Sequence, residues 1–119
     1  MSHGAFLRQK SDDPELASHI MHDYKTADLD PETRGILDFT VKLTVNPGDM
    51  QKSDVQGLRE LGLSDEQILS VVLIACTFSF MTRLADGLGV EFSERAQHSI
   101  ETWLKGPATQ QEWLMKQKV

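Results

Sequence analysis

The stretch SDEQILSVVLIACTFSFMTRLADGLG, from Ser64 to Gly89, decides the fold, because no other part of the chain is both as long and as poor in charge. It predicts one central helix. Ser64 and Gln67 have the spacing of a capping box at its start, acidic residues fill the first turn, and Gly89 supplies the stop. No charged side chain lies between Gln67 and Thr82, so we expect neighbouring helices to enclose this helix on most sides.

A membrane span is the alternative interpretation of the same stretch. A bilayer-crossing helix needs roughly 20 predominantly apolar residues. The uncharged run here is shorter, contains Ser70 and Thr77, and ends in Arg83 and Asp86. The sequence therefore favours a core helix and no membrane contact.

The remainder of the chain also has helical spacing. Pro14 and Pro31 each follow an aspartate, which is a typical helix start, and Ser53 with Gln56 resembles another capping box. The other predicted helices span 14–24, 31–45, 53–61 and 93–105, with a short piece before residue 10 and a last turn or two from residue 109. No segment alternates like a strand. We predict a single all-α domain over 1–119, with five or six helices packed around a buried central helix at about 64–88.

The composition excludes some classes of binding partner. The 119 residues include 18 acidic and 12 basic side chains, a formal charge of −6. The basic residues are scattered, which argues against nucleic acid and anionic membrane surfaces as partners. A small molecule or another protein is the expected partner. Cys76 is the only cysteine and nothing before Phe6 has the pattern of a signal peptide, so we expect a cytoplasmic protein without an intrachain disulfide.

Two groups of side chains are candidates for chemistry. Cys76 could be a nucleophile, but its apolar neighbours predict a small hydrophobic side chain in the core, where a thiol reacts slowly. His19 and His22 lie one helical turn apart, yet a zinc site needs three or four ligands. We therefore expect these histidines to be solvated, and we predict neither a metal nor a cofactor.

Charged residues near the end of the central helix are candidates for binding. Arg83 and Asp86 are three residues apart and could form an ion pair, a subunit contact or a substrate-facing pair. His3 could act as a general base, because imidazole titrates near neutrality. Composition alone gives His3 no role.

Several motifs follow one another between Leu29 and Glu91. They are L-D-P at a helix start, V-K-L-T near its end, G-L-S-D-E-x-I, and F-x-F-x-x-R-x-A-D-G-L-G-V. In this order they resemble the peroxidase-related branch of the alkylhydroperoxidase D-like (carboxymuconolactone decarboxylase) superfamily. The resemblance implies an all-helical, oligomeric protein. It also implies hydroperoxide reduction by a C-x-x-C pair and a histidine four residues later, with a thiol protein as a possible reductant.

The N-terminus departs from that pattern. MSHGAFLR looks like the family segment H-G-A-x-L-R, which places His3 at the motif histidine and the second motif cysteine before Met1. The chain is therefore expected to be the C-terminal part of a longer family member, and Cys76 does not replace the missing pair. The usual asparagine and tyrosine of the central motif also differ, with Thr77, Ser79 and Thr82 in that region.

Three functions stay open at this point. The first is an alkylhydroperoxidase-type oxidoreductase whose redox cysteines are absent from this chain. The second is a non-catalytic helical oligomerisation module with the same fold. The third is a decarboxylase-like acid/base enzyme, which would need an oxyanion partner for His3. Only the fold is common to all three.

Overall fold

The computed structural model of the protein describes residues 3–13, 15–91 and 93–94, without the side chains of Ala5 and Arg8. Its elements are α1 (His3–Lys10), α2 (Leu16–Asp23), a 3-10 turn (Tyr24–Thr26), α3 (Pro31–Val45), a second 3-10 turn (Pro47–Asp49), α4 (Lys52–Glu60) and α5 (Asp65–Gly87). These ranges contain no strand, so the predicted all-α class is confirmed. The predicted helix at 93–105, the last turn from residue 109 and both tryptophans lie outside the described residues.

The contacts between Cα atoms divide the chain into two compact units. One comprises Met1–Asp28 with Glu91–Val119, and the other comprises Leu29–Val90. In the described part of the first unit, α1 packs against α2, and Ala17 and Ala27 are buried. The second unit contains α3, α4 and α5.

A small apolar core holds the second unit together. Its buried members come from three helices and one connection: Phe39 on α3, Leu58 on α4, Leu63 between α4 and α5, and Ile68 on α5. Half-buried side chains surround them, namely Ile36, Leu43, Met50, Val55, Val71 and Val72. This core lies near the N-terminal end of α5, which leaves the rest of that helix with fewer apolar neighbours from its own unit.

Both ends of α5 confirm the sequence signals. The Gln67 N–H donates to the Ser64 hydroxyl at 3.2 Å, and the Ser64 N–H donates to the Gln67 side-chain oxygen at 2.8 Å. At the other end Gly89 has φ +62°, and the next N–H, that of Val90, donates to the Ala85 carbonyl at 2.9 Å. This bonding closes the helix by a Schellman motif, in which a glycine adopts the left-handed conformation without a Cβ penalty.

The start of α4 differs from its predicted form. The helix begins at Lys52, and its capping carboxylate is Asp54, which accepts the Gln51 N–H at 2.7 Å. The expected capping box of Ser53 with Gln56 was wrong. Asp54 has the advantage because a carboxylate accepts more strongly than an amide oxygen and favours the positive end of the helix dipole.

The predicted enclosure of α5 was also wrong. Within the described part of this helix only Ile68 and Ala75 are buried, while Leu69 is 57%, Leu73 56% and Phe80 63% exposed. The physical reason is that α3 and α4 pack against one side of α5, which leaves a broad apolar surface on the other. An uncharged helix needs apolar surroundings, but nothing requires its own unit to provide them.

One helix of the described residues, α5, is long and apolar enough to cross a bilayer by length and composition alone. Its 23 residues span about 34 Å at 1.5 Å per residue. Charged side chains limit the uncharged part to the segment between Glu66 and Arg83. The apolar surface of α5 therefore has to be explained by something that covers it.

Candidate functional site

Cys76 is exposed on α5. The prediction that it belongs to the core was wrong, because it lies beyond the side of α5 that α3 and α4 cover. Its neighbour Ala75 is buried at 8% exposure, whereas Cys76 is one residue, or about 100° of helical rotation, further around the helix. The thiol is therefore accessible to solvent or to a partner protein.

Arg83 and Asp86 lie near the end of α5, and both are exposed. The Arg83 guanidinium donates to the Ser79 carbonyl one turn earlier, at 3.3 Å. The ion pairs of Lys42 with Asp54 and of Arg59 with Asp65 lie elsewhere in the same unit. A binding role for Arg83 and Asp86 stays a prediction.

The histidines belong to the first unit. His3 is the first residue of α1 and is exposed; His19 and His22 lie on α2, the former exposed and the latter half-buried. No group of three or more His, Cys, Asp or Glu side chains within residues 3–13, 15–91 and 93–94 could hold a metal ion. His3 and Cys76 lie in different units.

An open groove of about 410 Å³ runs between α3 and α5. Its apolar lining comes from Ile36 and Leu37 on α3 and from Val71, Ile74, Ala75 and Phe78 on α5. Four hydroxyl side chains complete the lining, Thr40 and Thr44 from α3 and Ser79 and Thr82 from α5. None of these ten residues is titratable.

The hydroxyl groups of two groove residues donate hydrogen bonds to carbonyl oxygens of their own helices. The Thr44 hydroxyl donates to the Thr40 carbonyl at 2.8 Å, and the Thr82 hydroxyl lies 3.0 Å from the Phe78 carbonyl. Such bonds along a helix are the usual way in which these side chains satisfy their donors. The groove offers apolar surface and hydroxyl groups, and none of its lining side chains is an acid or a base that could activate those hydroxyls.

An ion pair in which Lys42 contacts both carboxylate oxygens of Asp54 lies at the start of α4. Lys42 Nζ is 2.8 Å from each carboxylate oxygen of Asp54, which also accepts the Gln51 N–H. The hydrogen bonds from Lys42 and then from Gln51 hold the pKa of the Asp54 carboxyl below its usual range. None of the three residues lines the groove, so this cluster joins α3 to α4 and is structural.

Sequence reasoning missed the exposed surface of α5. The large apolar side chains of α5 and of its C-cap residue, each at least 46% exposed, are Leu69, Leu73, Ile74, Phe78, Phe80, Met81, Leu84 and Leu88. We call these eight residues the α5 apolar face. Their spacing was visible in the sequence, but it was interpreted as a buried face because burial within the same chain is the usual fate of such a helix.

Comparisons with known proteins give structural matches only. No family model matches the sequence, and no curated protein matches it. A crystal structure of an alkylhydroperoxidase AhpD core, an uncharacterised peroxidase-related protein from Ralstonia eutropha JMP134, is similar over 86% of this chain and 50% of that one, with 29% identity and a TM-score of 0.68. An uncharacterised peroxidase-related protein from Silicibacter sp. TM1040 is similar over 78% of this chain and 49% of that one, with 30% identity and a TM-score of 0.70.

The helical elements and these similarities define the class: the chain has an all-α, AhpD-like fold. Within that class it resembles the peroxidase-related proteins, as the motifs between Leu29 and Glu91 predict. The chain spans about half the length of these solved structures.

Proposed function

We propose that this chain is an assembly module of the peroxidase-related, AhpD-like type, which packs against other polypeptide through α5 and does not reduce hydroperoxides by itself. The α5 apolar face is the observation that carries the proposal. Monomeric soluble proteins rarely expose contiguous apolar patches of more than a few hundred Å². Eight large apolar side chains on α5 and its C-cap residue, each about half exposed, reach that limit with roughly 400 Å², at about 50 Å² for each of them.

The cysteine content of the chain supports the proposal that it does not reduce hydroperoxides by itself. Reduction of a hydroperoxide by a dithiol site transfers one oxygen to a thiolate, which releases the alcohol and leaves a sulfenic acid. A second thiol then condenses with the sulfenic acid, releases water and forms the disulfide that a reductant reopens. Cys76 is the only cysteine, so this chain cannot complete the second step within itself.

A peroxidase role is the second candidate, in a protein where a C-x-x-C pair is supplied from outside this chain. The names of the two solved structures, both peroxidase-related, favour it. The resemblance of MSHGAFLR to the family motif supports the same role, because it assigns the proton transfer to His3. In this role a thiol protein is the expected reductant, and the second unit still provides assembly.

One experiment tests whether the chain reduces hydroperoxides by itself. The purified chain is incubated with an alkyl hydroperoxide and excess dithiothreitol, and thiol consumption is compared with that of the Cys76→Ser variant. We expect both to match the buffer rate. Sustained turnover that depends on Cys76 would show that the chain is an enzyme by itself.

The assembly role has its own measurement. Multi-angle light scattering over a 100-fold range of protein concentration should give a mass above that of one 13.4 kDa chain at the upper end of the range. Hydrophobic association of this kind weakens by mass action on dilution. A monomer at every concentration would contradict the assembly role.

A further inference from the structure

We propose that a second copy of this chain packs against one side of the α5 apolar face, and that the two α5 helices pair antiparallel with Leu69 of each copy opposite Phe80 of the other. This inference rests on the proposed assembly function and names its partner, orientation and register. It concerns the side of α5 that carries Leu69, Leu73, Cys76 and Phe80. We call these four residues the seam.

The spacing of the seam fits a helix pair. Its members follow one another at intervals of four, three and four residues, which is the alternation that keeps one stripe of a helix facing a partner helix. All four are exposed, Phe80 to 63%. Ile68 and Ala75, the buried residues of α5, lie on a different side of the helix. A second helix can therefore pack on the seam without displacing the core.

Charge at the two ends of the seam selects the orientation. The same spacing continues to Glu66 at one end and to Arg83 at the other, and neither residue belongs to the Lys42–Asp54 or the Arg59–Asp65 ion pair. An antiparallel pair brings Glu66 of each copy to Arg83 of the other. A parallel pair would place glutamate against glutamate and arginine against arginine, which is repulsive.

The register follows from the same pairing. Placing Glu66 opposite Arg83 puts Leu69 opposite Phe80 and Leu73 opposite Cys76, since each step along one helix is a step back along its antiparallel partner. The small thiol then faces a leucine and the large ring faces another leucine. Pairing through a two-fold axis repeats every contact twice, as closed dimers of identical subunits require.

The seam lies on the side of α5 away from the groove. Ile74 and Phe78 of the α5 apolar face line that groove, about 140° and 180° of helical rotation from Leu69. An antiparallel partner helix would therefore bury the seam and its neighbour Leu84, which is 46% exposed. With apolar residues in the centre and charges at the ends, the surface has the usual anatomy of an interface.

The first test is a charge-reversal cycle in the full chain, read out as the dimer dissociation constant by analytical ultracentrifugation. Glu66→Arg and Arg83→Glu should each weaken the dimer about 10-fold, because each removes two symmetric ion pairs and creates two repulsive ones. The double variant should return to within about 3-fold of the parent. Weakening that adds up in the double variant would overturn the antiparallel arrangement.

Disulfide capture tests the register directly. In a Cys76→Ser background, Leu69→Cys and Phe80→Cys are prepared separately and then mixed, and diamide oxidises the thiols by taking up two electrons and two protons per disulfide. We expect a mixed 69–80 disulfide and little cross-linking of either variant alone. Like positions in the antiparallel pair are separated by about 16 Å along the axis, beyond the reach of a disulfide. Gln56→Cys, exposed on α4, is the matched control.

The outcomes separate this inference from the proposed function. Two results would retain the assembly role and refute this pairing. One is a dimer that cross-links through like positions, and the other is a dimer whose dissociation constant is unchanged in the charge-reversal variants. A monomer at all concentrations would refute both. Flotation of the parent chain with phosphatidylcholine vesicles, together with loss of the dimer, would show that lipid covers α5 and would also refute the pairing.

Discussion

Leu58→Ala is the sharpest test of where the stability of the second unit comes from. Leu58 on α4 is 2% exposed and belongs to the same buried cluster as Phe39, Leu63 and Ile68. Because this cluster has so few fully buried members, a cavity in it removes a large share of the packing. We expect the variant to fold less stably at every protein concentration.

The size of the loss follows from the side chain removed. Truncating leucine to alanine removes three carbon groups, which at about 0.8 kcal/mol each gives roughly 2.4 kcal/mol of lost transfer free energy. The cavity raises the total into the range of about 3–5 kcal/mol. With a urea m-value of about 1.5 kcal/mol/M for a chain of this size, the unfolding midpoint should fall by about 2 M or more. Far-UV circular dichroism measures this transition because the described fold is helical.

Leu69→Ala is the matched control, since it removes the same atoms from a leucine that is 57% exposed on α5. At concentrations where the chain is monomeric its free energy of unfolding should change by less than about 0.5 kcal/mol. At high concentration it should lose the stabilisation that association gives. A loss below about 1 kcal/mol for Leu58→Ala, or equal losses for the two variants in the monomer, would show that the buried cluster is not the core.

Two further perturbations test the electrostatics and the backbone. The hydrogen bonds from Lys42 and from the Gln51 N–H lower the pKa of Asp54 in the folded protein. The stability that Asp54 contributes is therefore fully present above its pKa in the unfolded chain, and it is lost as the pH falls through its pKa in the folded protein. Asp54→Asn should therefore be less stable than the parent at pH 7, and the difference measured by urea titration should shrink between about pH 5 and pH 3; a constant difference would argue against the linkage. Gly62 ends α4 at φ +102°, and Gly62→Ala should cost about 1–2 kcal/mol in the same assay because a Cβ is disfavoured in the left-handed region; an unchanged midpoint would show that the turn relaxes.

Local signals predicted α3 and both ends of α5 accurately. Residues 31–45 were predicted as one helix, and α3 spans Pro31–Val45; Ser64 with Gln67 and Gly89 set the ends of α5 as expected. These features depend on neighbours within four residues, which a sequence shows directly. The start of α4 was harder, because Asp54 also binds Lys42 on another helix, and no local pattern encodes that contact.

Burial was less predictable than helicity, and Cys76 shows why. Its apolar neighbours indicate that the helix around Cys76 needs apolar surroundings. The spacing of apolar residues does not show whether the same polypeptide or another one covers this helix. Within the second unit, α3 and α4 pack against one side of α5, and the Cys76 thiol lies on a different side of this helix. The family motifs could assign a role to His3 only by resemblance, since the residues around it carry no catalytic pattern of their own.

The exposed surface of α5 connects the fold to the choice between functions. Eight large apolar side chains on α5 and its C-cap residue, each about half exposed, leave roughly 400 Å² of apolar surface in water, at about 50 Å² for each of them. Covering this surface would return about 10 kcal/mol at about 25 cal/mol per Å², and the part that exceeds the cost of association is the driving force available to a covering partner. The groove between α3 and α5, whose lining has no titratable side chain, offers no comparable reason to infer chemistry. The same helix that predicts the fold therefore favours assembly over catalysis as the role of this chain.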